Sequence, residues 1–192
     1  MRILFVALSY WPLWALQGLG GFIGWLAWII PNKRRRTAIR NISACFPELS
    51  RREQRHMARR AIGHELKTIA ELPLIWLGSE KRVLRLVREY RGMELVTEAM
   101  KKNRGLILLT LHQGSFEGPA IPFSRDNVIT GIYKPQKGTL DALAYQGRTR
   151  FKGGLVAAVG GGVRQKLLPL LADNQMTYLL PDQDPPKGRG VF

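Results

Sequence analysis

The first thirty residues form an almost unbroken apolar run. From Ile3 to Ile30, ILFVALSYWPLWALQGLGGFIGWLAWII, no position is charged, a run longer than the ~20 residues a helix needs to cross hydrocarbon. It contains Trp11, Trp14, Trp25 and Trp28, and indole rings favour the membrane–water interface. A signal peptide has a shorter apolar core and a small-residue cleavage site. This run ends instead in Pro31-Asn32 and KRRRTAIR (Lys33 to Arg40), which carries five cations. Basic flanks mark the cytoplasmic side. Residues 1–31 are therefore expected to form a retained membrane anchor, with Pro12 and the glycines at 18, 20, 21 and 24 allowing a kink or tilt. The alternative is a hydrophobic hairpin buried within the protein.

Helical patterning follows. Ser50-Arg51-Arg52-Glu53 has the form of a capping box. Apolar positions at Met57, Ala61, Leu66, Ile69 and Leu72 predict a helix to about Leu77, bent or ended early by Pro73. Ser79 opens a second helix, EKRVLRLVREY, with Val83, Leu84, Leu86 and Val87 inward and Lys81, Arg82, Arg85 and Arg88 outward. Such a basic face suits a membrane surface or is simply solvated. Residues 32–91 thus read as a basic helical region.

From residue 92 the period changes. MELVTEAMKKN predicts a helix ending at Gly105, and GLILLTL a fully buried strand. A polar turn and short helix lead to the strand NVITGIY, and TLDALAYQGRTR predicts a helix. LVAAV is a strand, GVRQKLLPLLADN a helix, and MTYLL a last strand closing on Pro181-Asp182. Strands alternating with helices predict an α/β fold, a mostly parallel sheet flanked by helices, over residues 92–192. In such sheets ligands bind beyond the carboxyl ends of the strands. His112 follows the first predicted strand, Lys134 the second, and Asp182 with Asp184 the fourth, so all are expected on one rim.

Charge narrows the partners. Thirty Lys and Arg against 14 Asp and Glu give a formal +16, which calls for an anionic partner: a lipid surface, an acidic protein or nucleic acid. The basic run abutting the apolar segment favours lipid headgroups. Aromatic residues are not interleaved with the basic runs, which argues against nucleic acid. Cys45 is the single cysteine, so no internal disulfide forms, and it reads as a small buried hydrophobe.

The stretch LLTLHQGSFEGPA, Leu108 to Ala120, breaks from an apolar strand into a histidine, a small-residue turn and a glutamate. An imidazole accepts a proton near neutral pH, and a carboxylate on its other nitrogen fixes the tautomer. His112 and Glu117 are the expected pair, acting on an alcohol. Gly114-Ser115-Phe116-Glu117-Gly118 lacks the residue that a nucleophile elbow places between its first glycine and the serine. Gly160-Gly161-Gly162 meets neither nucleotide-binding glycine pattern. His56 and His64 read as helix-face residues, and no metal-ligand spacing appears.

HQGSFE resembles the H-x4-[D/E] block of the glycerolipid acyltransferase superfamily. RNISACFPELSRREQ, LLTLHQGSFE, IYKPQKGTLDALAYQGRTR and YLLPDQD together resemble, more narrowly, the bacterial lipid A biosynthesis acyltransferases. Chains of that family continue beyond GRGVF, so an incomplete carboxyl-terminal part is expected. The resemblance implies a glycerolipid acyltransferase-like fold and O-acyl transfer from an acyl thioester to a hydroxyl of a lipid A precursor, with no cofactor. The donor would be carried on acyl carrier protein, or be acyl-CoA. By position His112 matches the general base, Glu117 its orienting carboxylate, and Arg148 or Arg150 the family's arginine. Lys134, Gln113, Ser115, Asp182 and Asp184 are the expected substrate contacts. The implied partners are acyl carrier protein, an anionic lipid acceptor and the membrane, and the implied place is the cytoplasmic face of the bacterial inner membrane. Acylation of a lysophospholipid or another glycolipid is the neighbouring reading. A non-catalytic, basic lipid-binding protein of the membrane surface is the reading of a different class.

Overall fold

The structure, a computed structural model, describes residues 2–135, 138–158 and 162–183. Its elements run α1 (Arg2–Ser9), α2 (Leu13–Ile29), α3 (Lys33–Cys45), α4 (Arg51–Leu77), α5 (Glu80–Leu84), α6 (Met93–Met100), β1 (Leu106–Leu109), α7 (Glu117–Phe123), β2 (Ile129–Tyr133), α8 (Thr139–Arg148), β3 (Gly153–Ala157), α9 (Val163–Ala172) and β4 (Met176–Leu179). Contacts divide the chain into two compact units, residues 6–74 and residues 1–5 with 75–192. Asp184 and the Gly160-Gly161 pair lie outside the described residues.

In the unit of residues 6–74, the apolar run is not one helix. Pro12 stands at the N-cap of α2 with φ −69° and ψ 151°; proline disfavours helical backbone in the residue before it, which separates α1 from α2. No single described helix is long and apolar enough to cross a membrane, although α2 and α3, bent by 85°, pass that test as a pair. Asn32 turns the chain: its side chain accepts from Arg35 N at 2.9 Å and donates to the carbonyls of Ala27 and Ile30. The capping box at α4 forms as expected, with Glu53 N donating to Ser50 Oγ and Ser50 N to Glu53 Oε2 at 2.9 Å. α4 continues past Pro73 to Leu77.

α2 lies antiparallel on α4 through glycine. A Cβ at Gly20 would stand 2.6 Å from Leu66 O and Lys67 Cα, and one at Gly24 would stand 2.9 Å from Gly63 Cα. Backbones can approach this closely only because glycine has no Cβ. Gln17 donates to Glu71 at 2.8 Å one turn further along. The buried positions of α4 in this unit include Ala58, Ile62, Glu71 and Leu74, whereas Ala61 and Ile69 of the expected stripe are exposed. The glycine contacts with α2 set that rotation.

The other unit holds a four-stranded sheet in the order β1-β4-β2-β3, with every pairing parallel. Helices flank it, and Ile121, Ile129, Leu143, Ala144, Val156 and Met176 are buried in its core. β1 is an edge strand. Ile107 and Leu109 are 48% and 69% exposed, so this strand is covered on one side only, where its apolar sequence predicted full burial. The helix expected from Ser79 is likewise short, ending at Leu84.

Candidate active site

Strand register brings the histidine its partner. Leu109 pairs with Leu179 across β1 and β4, and Thr110 N still donates to Leu179 O at 2.9 Å. Three residues beyond those partners on each strand come His112 and Asp182. The His112 backbone N–H donates to Asp182 Oδ2 at 2.8 Å, and His112 Nδ1 meets Asp182 Oδ1 at 2.8 Å. The hydrogen bond from His112 holds the Asp182 carboxyl below its ordinary value. An ionised carboxylate on Nδ1 places the proton there, which leaves the Nε2 lone pair to accept one. Phe116 sets its ring edge-on to the imidazole, with centroids 5.2 Å apart.

Glu117 is elsewhere. It opens α7, is 5% exposed, and spends both oxygens on other partners. Oε2 accepts from Trp76 Nε1, while Oε1 accepts from Arg148 Nε at 3.1 Å and from Arg148 Nη2. The expected His112–Glu117 pair is thus replaced by two separate pairs, His112–Asp182 and Glu117–Arg148. The physical reason is that α7 buries its first residue against the end of α4 and the last turn of α8, where a forked guanidinium satisfies a buried carboxylate better than an imidazole. Burial by itself would lower the Arg148 pKa, but the hydrogen bonds and charge of Glu117 outweigh it and the guanidinium stays a cation.

Arg150, the other candidate arginine, has a different post. Nη2 donates to Gly78 O at 2.7 Å, and Nη1 to the carbonyls of Ile75 and Trp76 at 3.2 and 3.3 Å. These are carbonyls at the end of α4, which a helix leaves without partners of its own and which favour a cation.

The remaining expected residues are spread along the rim. Gln113 is exposed in the turn after His112, and Ser115 is half-buried against Gly118, whose added Cβ would lie 2.9 Å from Ser115 Oγ. Lys134 follows β2 directly, and the pairing of Gly131 with Tyr178 brings it level with Pro181, next to Asp182 in the chain. Below the rim a cleft of about 240 Å³ is lined by Tyr90, Leu108, Thr110, Phe116, Phe123 and Tyr178, among others. It is mostly apolar. Tyr90 closes one side, donating to Pro119 O at 2.7 Å with its ring edge-on to Phe123, and burial, with the charge of Asp126 added, pushes its phenol up to about 12.

Sequence reading did not single out Trp76 or Tyr178. Trp76 is 4% exposed, and a buried indole N–H needs an acceptor, a signal that a tryptophan past Pro73 at the end of an apolar helix already carried. Tyr178 follows from Gly131, where a Cβ would run into the phenol ring. Burial raises the Tyr178 pKa against the charge of Arg148. Among the described residues, no group of acidic, histidine or cysteine side chains is placed to hold a metal.

The chain is 26% identical over 161 residues to the lipid A biosynthesis lauroyltransferase of Escherichia coli (strain K12), covering 83% of this chain and 51% of that protein. It is 26% identical over 157 residues to lipid A biosynthesis acyltransferase 2 of Shigella flexneri, covering 81% and 49%. It is 24% identical over 151 residues to the lipid A biosynthesis myristoyltransferase of Escherichia coli (strain K12), covering 78% and 46%. The chain therefore spans about half the length of the curated relatives it matches. The profile described as bacterial lipid A biosynthesis acyltransferase matches residues 2–192. With the match running through both units and every element named above, the chain belongs to the bacterial lipid A biosynthesis acyltransferase family.

Proposed function

We propose that this protein transfers a fatty acyl group from an acyl thioester, borne on acyl carrier protein, to a hydroxyl of a lipid A precursor at the cytoplasmic face of the bacterial inner membrane. The observation that carries the reading is the doubly held His112–Asp182 pair at the carboxyl ends of adjacent parallel strands. His112 Nε2 takes the proton of the acceptor hydroxyl as its oxygen attacks the thioester carbonyl carbon. Asp182 steadies the imidazolium that forms. When the C–S bond breaks, the imidazolium returns the proton to the leaving thiolate, so no acyl-enzyme forms.

Glu117 acts through Arg148. It aims and neutralises a buried guanidinium that keeps Nη1 for a substrate oxygen, whether the developing oxyanion or a phosphate. Loss of one such donor costs about 2.7–4 kcal/mol in acyl transfer. The apolar cleft beneath the rim receives hydrocarbon.

Membrane attachment falls to the apolar segment. α2 exposes Trp14, Phe22, Ile23, Trp25 and Ile29, and the cations of α3 follow it directly. Its 17 residues extend about 25 Å, short of the ~30 Å hydrocarbon core, which supports embedding at one leaflet.

The test is radiolabelled acyl transfer from acyl carrier protein to a lipid A precursor, comparing the wild type with His112→Ala. The variant should lose roughly 10²-fold or more of the rate. Equal product from the two proteins would refute the catalytic assignment.

A further inference from the structure

A groove in the unit of residues 6–74 is unused by this chemistry. α4 lines it with Arg59, Arg60, His64 and Lys67, α2 supplies Trp25, and Gly21, Gly24 and Gly63 form its floor. Its volume is about 230 Å³. The positions on α4 recur at intervals of three or four, so Arg60, His64 and Lys67 rise from one face of the helix. The floor is backbone because α2 and α4 touch through their glycines, and a Cβ at Gly21 would meet Lys67 Cε at 3.3 Å.

Two features point to an occupant. First, like charges are gathered: no carboxylate pairs with Arg59, Arg60 or Lys67 among the described residues. Glu65, the carboxylate next to His64 on α4, pairs instead with Arg34 of α3. Adjacent cations at helical spacing repel one another, and a dianion set among them would relieve that repulsion through charge-assisted hydrogen bonds. Second, Trp25 belongs both to the groove and to the exposed apolar face of α2 that includes Phe22 and Ile29. The mouth of the groove therefore stands where an embedded α2 meets the headgroups.

We infer that this groove binds the phosphate monoester of a membrane lipid headgroup, held by Arg60, His64 and Lys67 and flanked by the Trp25 indole. The inference rests on the membrane placement of α2 proposed above and is independent of acyl transfer. Gly63 provides an uncharged probe, because a side chain there enters open space, with nothing within 4 Å of its Cβ.

The experiment is flotation of the full chain with vesicles of phosphatidylcholine alone, or with added phosphatidic acid or phosphatidylglycerol matched for surface charge. The wild type should bind the monoester vesicles about tenfold more tightly than the matched diester vesicles. Arg60→Gln with Lys67→Gln should abolish that preference, and so should Gly63→Leu, which changes no charge. Arg36→Gln with Arg40→Gln on α3 should weaken binding to both anionic vesicles and keep the preference. A wild type without preference, or a preference surviving in both groove variants, overturns the inference. Competition by inorganic phosphate as strong as that of the lipid would also overturn it, in favour of a soluble ligand. Failure to bind any vesicle would instead strike the membrane placement.

Discussion

Trp76 occupies the space that a side chain at Gly147 would need: an added Cβ there would lie 2.6 Å from the indole Cδ1. The missing side chain brings α8 against the end of α4. There the Trp76 N–H reaches Glu117, and Arg148, the next residue of α8, reaches the same carboxylate. Gly147→Ala should therefore cost about 1–3 kcal/mol through overpacking. Thermal melts followed by tryptophan fluorescence should show a lower Tm and a changed Trp76 environment. An unchanged melt and spectrum would mean the helices have room to spare.

Glu117 and Arg148 form a buried pair, with side chains 7% and 23% exposed. Removing one partner strands the other charge, so Glu117→Leu or Arg148→Met should each cost about 3–5 kcal/mol. The double variant should be much less destabilised than the sum of the singles, since nothing is left uncompensated. Denaturant unfolding of all four proteins checks this. If acyl transfer is assayed on the same set, activity should stay low in the double variant even where stability returns.

Asp182→Asn keeps the shape of the side chain while weakening its hold on the imidazole. We expect roughly a 10²-fold fall in kcat with little loss of stability, because both members of the pair are partly exposed. The wild-type pair also has a pH signature. The hydrogen bond from His112 holds the Asp182 carboxyl below its unfolded value, near 3.8. Its contribution to stability is thus complete above that value and disappears as pH falls through the lowered folded one. Acid melts should show a small extra loss below pH 3.8 in the wild type that is absent in Asp182→Asn.

Arg150 and Arg148 sit two positions apart and should behave oppositely. Arg150→Ala removes the cation from three carbonyls at the end of α4, which should cost about 1.5–3 kcal/mol. The folded fraction should keep its kcat. A kcat loss in Arg150→Ala as large as that in Arg148→Lys, measured on fully folded protein, would return Arg150 to the site.

Much of this architecture was local and therefore legible. The capping box at Ser50 and Glu53, the switch from helical to strand patterning after residue 92, and the parallel sheet flanked by helices all follow from backbone propensity and periodicity. That His112 and Asp182 end on one rim also followed, since strand ends alone decide it. What the tertiary structure decided was pairing. Glu117, five positions from His112 in the chain, turned away with α7 toward Trp76 and Arg148. Asp182, seventy positions away, arrived because β4 inserts between β1 and β2 and matches Leu109 with Leu179. Strand order is a non-local choice made by the packing of whole helices on the sheet. For that reason a single sequence could supply the acid, the base and the arginine but not say which held which.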